Sequence, residues 1–126
     1  MTASRSIIFI GLAFLGTVYA SQPGESRPLQ RVPAKALGMT SPLNDQQSAA
    51  LAGRKLFQRD CAQCHGAERE GLGKAPPLAR PEVMEAKPGA LFWVLQNGSI
   101  VRGMPSFARL PAAQRWQIVA FLRMAE

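Results

Sequence analysis

The chain has 126 residues, enough for one domain with a modest core, and its hydrophobic fraction of 47% is that of a globular protein, not a disordered one. Its formal charge is +7, but the basic residues are scattered and form no block, so nothing marks a nucleic-acid footprint and the first reading is a solvated basic surface. Two cysteines and one histidine exclude a disulfide framework and a structural zinc site built from two Cys/His pairs.

Arg5 precedes an uncharged run from Ile7 to Val18, and Val18-Tyr19-Ala20 offers small residues at the −3 and −1 positions of a cleavage site. This is the pattern of a secretory signal peptide over residues 1–20. The other reading is an uncleaved anchor, but a spanning helix needs about 20 apolar residues and this run has 12. Cleavage would remove Arg5 and no acid, so the exported chain, beginning near Ser21, would carry +6. Export places it in the periplasm or an equivalent compartment, without an integral membrane span, where nucleic acid is not an expected partner.

Residues 21–43 hold Pro23, Pro28, Pro33 and Pro42 with no hydrophobic period, which predicts a flexible, extended leader. The folded domain is expected over residues 44–126. About 80 residues make a marginal core unless something staples it, and a large apolar cofactor would serve that purpose.

Three helices are predicted. The first begins at Asn44 or Asp45, either of which can cap free backbone N–H groups, and repeats Ala49, Ala52, Gly53, Leu56 and Phe57 on one face. Gly53 weakens a helix, which predicts close approach of another backbone there. The second runs from Pro88 or Gly89 to Asn97, with Gly98 as its stop. The third has Pro111 in its first turn and extends to about Ala125, with Ile118, Phe121, Leu122 and Ala125 as its apolar stripe, widened by Trp116 and Val119. No stretch alternates like a strand, so the class is all-α. The Gly- and Pro-rich stretch from Glu70 to Pro81 and the irregular stretch from Ser99 to Leu110 are too long to dangle from so small a domain and are expected to wrap something.

The decisive string is Cys61-Ala62-Gln63-Cys64-His65. C-x-x-C-H is the haem-attachment signature of c-type cytochromes: two thiols at this spacing can reach the two vinyl groups of one porphyrin edge, and the adjacent imidazole falls beneath the iron. A thioredoxin-like C-x-x-C expects a βαβ pattern that this chain lacks. With His65 the only histidine, a sixth iron ligand would have to be methionine, which raises the reduction potential. Met1 lies in the signal segment, Met39 in the leader, Met84 after Pro81 and Met124 on the last helix. Met104, in Arg102-Gly103-Met104-Pro105-Ser106, is favoured because a glycine and a proline there suit a loop that presents a thioether.

With these motifs in place, residues 45–126 resemble a mono-haem class I cytochrome c domain. The resemblance rests on Gly53 and Phe57 ahead of Cys61 to Gly66, on Gly71 to Leu78, on Gly103-Met104-Pro105 and on the segment Trp116 to Leu122. It implies a small cytochrome c fold, three main helices wrapped around one covalent haem c. Cys61 and Cys64 would form the thioethers and His65 and Met104 would be the axial ligands. A proline carbonyl, of Pro76 or its neighbour Pro77, would accept the His65 N–H. It also implies that Gly53 meets the Trp116/Phe121 region.

The stretches from Leu91 to Met104 and from Leu110 to Val119 are similar to cytochrome domains that accompany periplasmic quinoprotein dehydrogenases. Such a resemblance implies an electron carrier, not an enzyme, taking single electrons from a dehydrogenase, a quinoprotein among the candidates, towards an oxidase or other acceptor of the respiratory chain. The alternative is a haem peroxidase or gas sensor with an open iron site. Phe92, Trp93, Phe107, Trp116 and Phe121 are expected as core. Lys74, Arg80, Lys87, Arg102 and Arg109 either steer an acidic partner or are ordinary solvated charges.

Overall fold

The computed structural model describes residues 28–124. The signal segment 1–20, the start of the leader to residue 27, and Ala125 lie outside the described residues. Among the described residues six helices run in chain order: α1 (Ala34–Leu37), α2 (Gln46–Asp60), α3 (Ala62–His65), α4 (Pro81–Met84), α5 (Pro88–Asn97) and α6 (Ala112–Leu122). Short 3-10 turns cover Pro28–Arg31 and Ile100–Arg102. Among the described residues there is no strand, only one isolated antiparallel bridge between Ser99 and Met104. The fold is all-α, and its three long helices are those the periodicity predicts, except that the third ends at Leu122 and not near Ala125.

Each long helix starts for a local reason, and α5 also stops for one. The Asp45 carboxylate caps α2, accepting the Gln47 and Ser48 N–H groups at 3.0 Å each, so Asp45 and not Asn44 is the cap. Pro88 opens α5, where a missing N–H costs nothing, and Gly98 ends it at a positive φ of 69°. Pro111 precedes α6 with an extended backbone.

Packing is dominated by the α2–α6 pair. Ala49, Ala50, Gly53 and Phe57 are the buried side of α2, and Trp116, Ile118, Val119, Phe121 and Leu122 the buried side of α6. The Phe57 and Phe121 rings meet at 5.2 Å and 56°, a tilted arrangement favoured by ring quadrupoles. Leucine and phenylalanine of α5 (Leu91, Phe92, Leu95) close the same core, with Phe92 stacked on Trp116 at 4.2 Å. Four of the five expected core aromatics are buried; Trp93 is half-buried and lines a cavity of about 320 Å³ with Pro28, Arg31 and residues 97–102.

Residues 28–43 differ from the extended leader predicted for them. They form the 3-10 turn and α1, bury Ala36, and pack Leu29 and Leu43 against the core. Gly89 makes this docking possible: a Cβ there would collide with the Ala36 carbonyl, so α5 admits this segment only because residue 89 has no side chain. Prolines suggested an uncommitted chain, but Ala34 to Leu37 supply one helical turn between them.

Candidate functional site

Cys61, Cys64 and His65 occupy a single turn. Cys61 terminates α2, its N–H bonding the Phe57 carbonyl at 2.8 Å, and its own carbonyl then accepts the Cys64 and His65 N–H groups at 3.1 and 3.0 Å. The two sulfurs sit in different surroundings, Cys61 buried and Cys64 exposed. Burial, reinforced by the Asp60 carboxylate and the neighbouring Cys64, pushes the Cys61 thiol up to about 12. His65 is buried, and its Nδ1 lies 3.0 Å from the Pro76 carbonyl oxygen. A carbonyl can only accept, so Nδ1 carries the proton and Nε2 keeps the lone pair with which an imidazole binds a metal.

Several contacts hold that arrangement. Gly71 N–H bonds the His65 carbonyl at 2.7 Å and Leu72 N–H the Cys64 carbonyl at 3.2 Å. Gly71, at φ 80°, lets the chain double back so tightly that a Cβ there would lie 2.6 Å from the Pro77 nitrogen. Of the two prolines left open by the sequence, Pro76 is the one whose carbonyl faces His65.

Met104 is half-buried and packs against the core cluster that contains Cys61, as do Ala62 and Leu78. Its loop is fixed at both ends: Ser99 and Met104 exchange backbone hydrogen bonds of 2.9 and 3.1 Å, and Phe107 N–H reaches the Leu95 carbonyl at 2.8 Å. Gly103 takes a left-handed φ of 84° that turns the loop just before the methionine. Met39 is exposed, and Met84 and Met124 are half-buried on other segments. Of the five basic residues considered for steering, Lys74, Lys87, Arg102 and Arg109 are exposed and Arg80 is half-buried.

The donor set fits a covalent haem: two thiols and an imidazole within five residues, the ring orientation fixed from behind by Pro76, and a thioether-bearing loop against the same core. No group of three His, Cys, Asp or Glu side chains among the described residues could hold a metal ion by itself. The sequence offered no sign of two supporting residues. Ser99 braces Met104 through backbone atoms alone, which any residue type could do. Arg69 is 2% exposed, whereas the sequence prior for an arginine is solvent.

Comparison with known proteins agrees. The family model described as cytochrome c oxidase, cbb3-type, subunit III matches residues 48–122. Among solved structures, cytochrome cL from the marine methylotrophic bacterium Methylophaga aminisulfidivorans MPT is similar, with a TM-score of 0.50 and 27% identity over 61% of this chain. The match spans 55% of that protein's length. No curated protein matches. The chain belongs to the cytochrome c oxidase, cbb3-type, subunit III family, and is a c-type cytochrome domain that holds haem c covalently.

Proposed function

We propose that this chain is an exported carrier of single electrons with one haem, tethered by thioethers from Cys61 and Cys64 and ligated by His65 below the iron and Met104 above. Residues 1–20 direct export and are removed; residues 44–126 are the cytochrome domain. The donor is a dehydrogenase, a quinoprotein among the candidates, and the acceptor an oxidase or other member of a respiratory chain. The observation that carries the reading is the 3.0 Å contact between His65 Nδ1 and the Pro76 carbonyl, which supports a metal-binding role for Nε2 in the only histidine of the chain.

When bound, the haem supplies a one-electron iron couple. The residues of the chain set its properties. Pro76 fixes the ring plane of His65 and makes the imidazole a stronger donor. Phe57, Leu91, Phe92 and Val83 belong to the apolar cluster that contains Cys61; a haem tethered there would meet an apolar surround, which would disfavour the extra charge of the oxidised state and raise the potential. The Ser99–Met104 bridge holds the thioether in a braced loop, so a change in iron charge need not move the ligand. The net positive surface favours encounter with an acidic partner at low ionic strength.

The test is the absorption spectrum of the chain produced in a haem-competent exporting host. A low-spin spectrum with a methionine–iron charge-transfer band when oxidised, and colour that stays with the polypeptide through acid–acetone extraction, is expected. Colour lost on extraction rejects the covalent link, and high-spin iron that binds carbon monoxide readily replaces the carrier with a peroxidase or sensor.

A further inference from the structure

We propose that Arg69 is a positioning residue for the proximal ligand. Its guanidinium fastens the loop after His65 to the end of α6, and its own carbonyl holds the segment that carries Pro76 where that carbonyl can meet the imidazole. The inference rests on the reading of His65 as the proximal ligand.

A charged side chain 2% exposed needs partners to offset its lost hydration. Arg69 finds them at the C-terminal end of α6, where Nη1 lies 3.4, 3.5 and 3.3 Å from the carbonyl oxygens of Phe121, Leu122 and Met124. The last carbonyls of a helix have no donor within it and form the negative end of its dipole, so a cation there is favoured twice. The guanidinium also lies 4.9 Å over the Phe121 ring, the ring that meets Phe57 one turn before Cys61.

The backbone of the same residue does the positioning. Arg69 is the only non-glycine with a positive φ among the described residues, at 64°. Such a conformation persists in a residue with a side chain only where the surroundings hold it. In that conformation its N–H bonds the Gly66 carbonyl at 3.2 Å and its carbonyl receives two donors, Leu78 N–H at 2.8 Å and Ala79 N–H at 3.3 Å. Leu78 and Ala79 directly follow Pro76-Pro77 and link the far side of the loop to its near side. Gly71 and Leu72, bonded to the His65 and Cys64 carbonyls, fix the near side. No regular element carries the Pro76 carbonyl; its place 3.0 Å from Nδ1 depends on these crossings, and the Arg69 side chain anchors them to α6.

The haem-loaded protein and its Arg69→Met and Arg69→Lys variants are compared by hydrogen exchange in the reduced, diamagnetic state. In Arg69→Met, exchange at the Leu78 and Ala79 amides and at His65 Nδ1–H is expected to rise about tenfold or more, the scale of losing hydrogen bonds from a charged donor, while the Leu95 amide within α5 keeps its rate. Arg69→Lys keeps the charge with fewer donors, and a smaller rise at the same three positions is expected. Equal acceleration in α5 would mean that Arg69 only stabilises the whole fold, and overturns the proposal; so do unchanged rates at Leu78, Ala79 and His65. Should Arg69→Met fail to accumulate, Arg69→Lys decides alone, since rates equal to the parent or a uniform rise both count against the anchor. A parent chain without covalent haem overturns the functional reading and this one with it, whereas a haem-loaded parent with unselective exchange in the variants overturns only the role of Arg69.

Discussion

Gly53 of α2 rests directly on the backbone of Gln117 in α6. A Cβ at residue 53 would fall inside the van der Waals shell of the Gln117 carbonyl oxygen and 3.0 Å from the Ile118 nitrogen. Both obstacles are helical backbone, which cannot swing aside as a long side chain would. Gly53→Ala therefore forces the two principal helices apart even though alanine is the better helix former. A loss of about 1–3 kcal/mol is expected, the usual cost of overpacking, read as a lower denaturant midpoint in the haem-loaded protein. An unchanged or raised midpoint would show that the helices part without cost.

That contact was legible beforehand because a glycine inside a strong helical period weakens the helix and so marks a place where a side chain would not fit. The helix ends were legible for a similar reason: Asp45, Pro88, Gly98 and Pro111 each act on the backbone within a turn of themselves. The segment from Pro28 to Leu43 was not, because its order comes from a partner, the bare surface of Gly89, more than 45 residues away in sequence. Arg69 was illegible on the same ground. Nothing near it separates a surface arginine from one that caps a helix end some 50 residues later. The attachment motif could be read from five letters because its chemistry is local. Of the two loops the sequence marked only the candidates, Pro76 or Pro77 and Met104, and not the crossings at Arg69 and Ser99 that hold them, because those crossings join residues apart in sequence through backbone atoms.

The Asp45 cap gives the first turn of α2 a defined pH response. The Ser48 hydroxyl and the Ser48 and Gln47 amides bond the charged carboxylate and hold its pKa below the ordinary 3.8. A lowered folded pKa means that the cap stabilises the fold above the unfolded value and loses that effect as pH falls through the folded one. Protection of the Gln47 and Ser48 amides, measured against their intrinsic exchange rates at each pH, should therefore fall below pH 3.8, and Asp45→Ala should show the lower protection already at neutral pH. A carboxyl titrating at or above 3.8 in carbon-detected NMR would contradict the cap.

The two attachment cysteines should differ in reactivity before haem is linked. With its thiol pushed up to about 12 from an ordinary 9.0 by burial, Cys61 holds about a thousandfold less thiolate at pH 8 than an unperturbed cysteine, at a factor of ten per unit. The thiolate is the reactive form. Iodoacetamide added to the haem-free chain under native conditions should mark the exposed Cys64 well before Cys61, as peptide mass mapping would show. In denaturing urea, where burial is lost, the preference should vanish. Equal labelling in both conditions would mean that the haem-free chain does not hold the α2–α3 junction in this form.

Met104 should be the methionine on which the iron's potential depends. Of the four methionines among the described residues, Met104 and Met124 are half-buried against the cluster holding Cys61, and Met104 alone sits in a loop braced by two backbone bonds to Ser99. Met→iron ligation raises a haem potential, so Met104→Ala should lower it, on the order of 0.1 V within the roughly 0.8 V that axial ligands span. The same variant should abolish the charge-transfer band and admit exogenous imidazole or carbon monoxide. Met84→Ala and Met39→Ala should leave band and potential in place, because neither residue shares the brace. Met124 contributes its backbone carbonyl to Arg69, so Met124→Leu, which keeps that carbonyl and a similar volume, should be silent as well. An unaltered band in Met104→Ala together with its loss in one of the others would move the sixth ligand elsewhere, and the bridge at Ser99 would then be a feature of loop stability alone.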